Sequence, residues 1–219
     1  MKTFLTTLLA LLVVSSGFAK TFEGVVRFNV TSGKRSQEME YAIKGERMRM
    51  TMQAEKGQQF GGIFDGKTGE IIVLMPEQKM YMVFGGVKEM VAEHTTADVT
   101  VEKTGRSETI AGHRCDEYLV KDKDSTIEMW AASGLGSFVP FADVQKNRGK
   151  TPGWAQSMIE KNLFPLRTIQ KDRRGRVVAQ TEAISVDQRT LEAALFEVPA
   201  GYQRFQLPNL GNLLKGIGG

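Results

Sequence analysis

Glu38-Met39-Glu40-Tyr41-Ala42-Ile43-Lys44-Gly45-Glu46-Arg47-Met48-Arg49-Met50-Thr51-Met52-Gln53 is the stretch that decides the fold. Met39, Tyr41 and Ile43 alternate with Glu38, Glu40 and Lys44. Beyond Gly45-Glu46, Met48, Met50 and Met52 alternate with Arg47, Arg49, Thr51 and Gln53. A period of two belongs to a strand, because successive side chains leave opposite faces of a pleated backbone. The methionines should therefore face inward together, with Arg47, Arg49, Thr51 and Gln53 on the solvent side.

The same period extends in both directions. Phe22, Gly24, Val26, Phe28 and Val30 share one face. Phe60 to Phe84 reads as a meander with turns at Asp65-Gly66-Lys67-Thr68-Gly69 and Pro76-Glu77-Gln78-Lys79. Further strands are predicted at Val99–Thr104, Glu108–Ile110, Arg114–Lys121, Ser125–Ala131, Phe164–Gln170 and Arg176–Val186. Helical signal is sparse. It is confined to Val87–Glu93, Phe138–Asn147, Trp154–Asn162 and a last turn at Leu191–Phe196. Many short strands with a few inserted helices predict a mainly β (α+β) domain. Its antiparallel sheet would carry helices over one face.

The first nineteen residues read as a secretory signal peptide. Lys2 precedes the apolar run Phe4–Val14, and Gly17 and Ala19 are small residues before a cut. Residue 20 is Lys rather than Cys, which argues against a lipid anchor. The expected organisation is residues 1–19 signal, 20–206 one domain and 207–219 a C-terminal tail. The expected address is the periplasm, away from ATP, nicotinamide and nucleic-acid chemistry. With 29 basic and 25 acidic residues the charge excess is small. The single cysteine, Cys115, excludes an intramolecular disulfide.

Four features have competing readings. Gly61-Gly62-Ile63-Phe64-Asp65-Gly66-Lys67-Thr68 matches the spacing of a phosphate-binding loop, but Gly69 leads into the strand-like Glu70–Met75 rather than a helix. A hairpin turn fits that context. Met48, Met50, Met52, Met80 and Met82 form a plain core, a flexible groove for an apolar or acyl-bearing ligand, or a thioether site for Cu(I) with His94, His113 or Cys115. Cys115 is either a buried small side chain or, with His113, half of a nucleophile pair. Lys171, Arg173, Arg174 and Arg176 crowd one turn, which is either solvated or in contact with anionic lipid headgroups. No lipase-type serine turn, metalloprotease helix or zinc-like cysteine spacing occurs, so no catalytic residue is assigned and no enzyme is expected.

Five segments together carry a family resemblance. They are Phe22-Glu23-Gly24; Tyr41-Ala42-Ile43-Lys44-Gly45 with Met48-Arg49; Thr109-Ile110-Ala111-Gly112 with Cys115 and Tyr118; Glu128-Met129-Trp130-Ala131-Ala132 with Gly134-Leu135-Gly136; and Leu195-Phe196-Glu197-Val198-Pro199-Ala200-Gly201-Tyr202. The series resembles the exported bacterial domain family 4412 of unknown function. Its pattern is similar to that of the LolA/LolB-like periplasmic carriers. The resemblance implies a strongly curved antiparallel half-barrel whose concave face is covered by helices, with an apolar cavity between. In the carriers that cavity holds lipoprotein acyl chains. Fold-level likeness is an analogy for function. The combined expectation is a monomeric, cofactor-free carrier or sensor. Met48, Met50, Met52, Met80, Met82 and Trp130 would line its groove, and Trp154–Asn162 would act as a lid. The alternatives are an envelope interaction module with a filled core and a Cu(I)-binding protein.

Overall fold

The computed structural model describes residues 22–53, 59–84, 100–121, 125–136, 138, 158 and 161–205. Twelve strands form one sheet. β1 (Glu23–Ser32), β2 (Arg35–Lys44), β3 (Arg47–Gln53), β4 (Gln59–Asp65), β5 (Glu70–Met75) and β6 (Met80–Phe84) make one meander. β7 (Thr100–Ile110), β8 (His113–Lys121), β9 (Ser125–Ser133), β10 (Leu163–Asp172) and β11 (Val177–Gln188) make a second. The two join where β1 pairs antiparallel with β11, from Gly24 opposite Gln188 to Ser32 opposite Ala179. β12 (Gln203–Arg204) adds to β6 in parallel; the other pairings are antiparallel. The sheet does not close, since β7 and β12 stand at opposite edges.

The sheet curls, and the contacts between its aromatic residues show toward which face. Tyr41 on β2 and Phe164 on β10 are three inter-strand steps apart, about 14 Å on a flat sheet at ~4.8 Å per step. Their ring centroids are 6.0 Å apart, and Phe28 on β1 lies 6.2 Å from the same Phe164. Side chains so far apart in strand order meet only if the sheet bends toward them. Register shifts between Arg27 and Phe28, and between Pro165 and Arg167, lie in this region. An extra residue on one strand bends and twists it.

The concave face holds the main core. Phe22, Val26, Phe28, Tyr41, Ile43, Met48, Met50, Phe64, Ile71, Cys115, Phe164 and Leu166 are all buried in one cluster. Each such side chain stabilises the fold by roughly 1.5–3 kcal/mol. Phe138 packs there as well, 5.5 Å from both Tyr41 and Phe164. On the opposite face of β8–β10, Tyr118, Val120, Met129, Ala131 and Leu163 form a second cluster around Met158.

Three expectations change. No helix covers the concave face among the described residues, whose helical residues are the 3-10 turn at Ala193–Phe196 and Met158 alone. That turn realises the predicted last turn, yet it packs Leu191 and Phe196 on Val25 and Ala42, the other face of β1 and β2. Curling supplies part of the cover that helices were expected to give. Val87–Glu93 lies outside the described residues. So do Phe138–Asn147 and Trp154–Asn162, apart from Phe138, Met158, Lys161 and Asn162. Met158 belongs to the second cluster, so it lies across β9 from Trp130 rather than over the groove. Finally, the two strands predicted at 99–104 and 108–110 are one, β7, interrupted by a register shift between Lys103 and Ser107, with Gly105 at φ +84°.

Candidate functional site: the concave methionine face

Cross-strand register places the five predicted methionines on one face. Val26, Tyr41, Met50, Gly62, Val73 and Met82 oppose one another in a single row across β1 to β6. A parallel row runs Gly24, Ile43, Met48, Phe64, Ile71 and Phe84. Met39 opposes Met52, which opposes Phe60, and Met75 opposes Met80. Side chains in one row share a face.

Depth separates the five. Met48 and Met50 are 2% and 7% exposed and belong to the packed core. Met52 is half-buried at its margin, and its sulfur accepts a hydrogen bond from Gln37 Nε2 at 3.3 Å. Met80 and Met82 are half-buried on β6 near the sheet edge. Gly62, between Met50 and Val73, adds no side chain to its row. Phe60 and Phe84 also belong to this surface. Their alternation was legible, but which face they join follows from register alone.

The opposite face of β3 is less open than predicted. Gln53 is exposed, but Arg47, Arg49 and Thr51 are half-buried. Arg49 Nη1 donates to Leu195 O at 2.9 Å, and the Arg47 guanidinium lies 5.9 Å from the Phe196 ring centre. Burial lowers the Arg49 pKa from its ordinary value. The 3-10 segment covers these side chains, and no local sequence signal announces that.

Trp130 on β9 packs half-buried against the same core cluster as Met48, Met50 and Met52. The Arg167 guanidinium sits 5.4 Å from its ring centre, within cation–π range. Arg167 also donates to Glu182 at 2.8 Å and Glu108 at 2.7 Å, and those hydrogen bonds raise its pKa. A charged cluster thus flanks Trp130. Its members come from three strands, and sequence reading missed all of them.

An open cleft of about 1380 Å³ lies between the tips of the β1–β2 and β10–β11 hairpins. Val30, Arg35, Gln37, Asp172, Arg176 and Val177 are among its walls. None of the six predicted ligand residues lines it. Gln37 connects it to the methionine face through Met52.

The remaining candidates resolve locally. The Asp65 carboxylate accepts the amides of Lys67 and Thr68 at 2.8 and 3.3 Å, and Gly69 N–H donates to Asp65 O at 2.6 Å. The phosphate-loop match is therefore a self-capped turn between β4 and β5. Cys115 is fully buried, its thiol 3.5 Å from His113 O, and burial pushes the thiol pKa up to about 11. A thiol so shifted is not an activated nucleophile near neutral pH. Among the described residues, no three His, Cys, Asp or Glu side chains gather as metal ligands; His94 lies outside them.

An unclosed, curled antiparallel sheet with an apolar concave face defines the class of this protein as an open half-barrel. Within that class, the chain belongs to the family described as domain of unknown function DUF4412, which matches residues 22–202. The fold is similar to that of an uncharacterized conserved protein from Thermus thermophilus, with 10% identity and a TM-score of 0.51 over 85% of this chain and 93% of that one. It is also similar to PNGF-II, with 12% identity and a TM-score of 0.54 over 89% of this chain, which spans only 33% of that protein. A looser similarity, TM-score 0.34 at 11% identity, reaches the lipoprotein LppX of Mycobacterium tuberculosis, over 79% of this chain and 91% of that one. No curated protein matches the sequence. At these identities the likeness is one of fold.

Proposed function

We propose that this protein is an exported, periplasmic, monomeric binding protein that holds an apolar or acyl-bearing ligand non-covalently on its concave face and performs no chemistry on it. The observation that carries the reading is the row structure of β1 to β6. Register puts seven methionines on one face of a curled sheet, the five predicted ones with Met39 and Met75, and all but Met48 and Met50 remain half-buried. Methionine is unbranched and polarizable, so it repacks around chains of different shape. Met48 and Met50 serve as floor; Met52, Met80 and Met82 are the contact residues; Trp130 stands on the far wall.

Titration with a fluorescent fatty acid tests this. Saturable binding is expected for the wild type. Met82→Asp should abolish it, because an unpaired carboxylate would face the acyl chain. Met82 lies outside the packed core, so the variant should keep the wild-type melting transition. Wild-type protein that takes up no acyl probe would overturn the proposal.

A second reading has its own support. Phe28, Tyr41, Phe138 and Phe164 pack ring to ring at the centre of the concave face. A face filled from edge to edge in this way would make the protein an envelope interaction module. Absence of acyl binding together with specific capture of an envelope protein would favour it.

A further inference from the structure

The tips of the β1–β2 and β10–β11 hairpins lie side by side, because β1 and β11 pair as far as Ser32 and Ala179. Val177 and Val178 overhang that pairing. They are 56% and 40% exposed, among the most exposed large apolar side chains of the described residues. A register shift opposite Gln170 and Lys171 leaves Val178 without a ladder partner on β10. The two tips carry six basic residues, Lys34 and Arg35 on one and Lys171, Arg173, Arg174 and Arg176 on the other, and Lys34, Arg35 and Arg176 line the same cleft as the two valines. Acidic groups offset part of this: Glu38 lines the same cleft, and Arg35 and Arg173 have interactions of their own. Lys171 pairs with Glu128, and Asp172 accepts from Arg176 Nε at 2.8 Å. The Asp172 carboxylate also accepts the amides of Arg174 and Arg176 at 2.9 and 3.0 Å, which fixes the shape of the turn. The Lys34 and Arg174 side chains are exposed and make no ion pair among the described residues.

We propose that these paired tips dock the protein on an anionic lipid bilayer surface, with Val177 and Val178 entering the headgroup layer and Lys34 and Arg174 facing lipid phosphates. The occupant follows from the combination. Cations alone would suit any polyanion. Two exposed valines at the crest of a cationic tip match a surface that is anionic outside and apolar just beneath. This deepens the binding reading, since the cleft between the tips reaches Met52 through Gln37 and would be the entry for a lipid ligand. It can fail on its own, because acyl uptake from solution needs no docking.

The test places an environment-sensitive fluorophore on Val177→Cys in the full chain. Cys115 is fully buried, so labelling is selective. Vesicles of phosphatidylcholine with phosphatidylglycerol should shift the emission to the blue. Phosphatidylcholine alone should not, and raised salt should reverse the effect. Lys34→Glu with Arg174→Glu in the same background should weaken the titration by at least about tenfold, given that each cation near such a surface contributes severalfold. A label on Lys67→Cys, at the opposite end of the sheet, should report nothing. No shift on anionic vesicles, an equal shift at Lys67→Cys, or a midpoint unmoved by charge reversal would overturn the proposal. An equal response to soluble polyglutamate would also overturn it, in favour of an acidic protein partner.

Discussion

A Cβ at position 24 would sit 2.8 Å from Phe22 Cζ and closer still to Asp187 O, the latter a backbone atom on the paired strand. Gly24→Ala should therefore cost about 1–3 kcal/mol, the usual range for overpacking, read as a lowered denaturation midpoint with an unchanged slope. Cys115 makes a second residue-scale prediction. Its thiol is held protonated to about pH 11, whereas an unfolded cysteine ionises near pH ~8.5. Between those values the native state binds the extra proton, so stability falls as pH rises through the window, by about 3 kcal/mol in all. Cys115→Val should remove that alkaline fall, and native wild-type protein should alkylate slowly at pH 8. Sequence reading reached the burial of Cys115, because a lone cysteine in a strand is most often a small hydrophobe. It could not reach the clamp on Gly24. The pairing of β1 with β11 that sets Asp187 O against Gly24 joins residues about 160 positions apart, and nothing local records it.

At the scale of elements, β7 shows how an edge is managed. Its irregular Thr104-Gly105-Arg106 stretch turns Thr104 Oγ1 and the Arg106 guanidinium onto Glu117, a fully buried carboxylate on β8. Removing one partner of a buried charge is destabilising, so Arg106→Ala should cost roughly 2–4 kcal/mol by chemical denaturation. Glu117→Gln together with Arg106→Ala should cost less than Arg106→Ala alone, since no charge is then stranded. The β10–β11 turn behaves differently. Its Asp172 is held below the ordinary carboxylate range by the Arg176 hydrogen bond, then by the amides of Arg176 and Arg174. A depressed pKa contributes stability above the unfolded value of about 3.9 and loses it as pH falls through the folded one. Amide exchange of Gly175, whose N–H donates to Asp172 O at 2.9 Å, should therefore lose protection in acid before the core unfolds. Strands were the legible elements, because alternation is local. The fusion of two predicted strands into β7 was not, since Gly105 reads as a break when it marks a bulge.

At the scale of the whole molecule, the recurring segments of the family resemblance find their places. Glu23 accepts Leu191 N–H at 2.7 Å and Lys44 Nζ at 2.8 Å, tying the chain after β11 to the start of β1 and the end of β2. The Leu195-Phe196 element then packs on the convex side of β1 to β3. These contacts fasten the curled sheet from behind, whereas Phe22, Tyr41, Ile43, Met48, Cys115 and Trp130 of the same segments face its concave core. The methionine face itself was legible as alternation. That Met80 and Met82 share it with Met48, Met50 and Met52 required the register of six strands, and that Met48 and Met50 are floor rather than lining required the curl. The measurement that tests the central claim most directly is photocrosslinking of a diazirine-bearing fatty acid to the purified protein, with peptide mapping of the adducts. The account predicts adducts within 47–53 and 80–84, the strands that carry the methionines, competed away by unlabelled fatty acid. Adducts confined to other segments, or no saturable labelling at all, would contradict it.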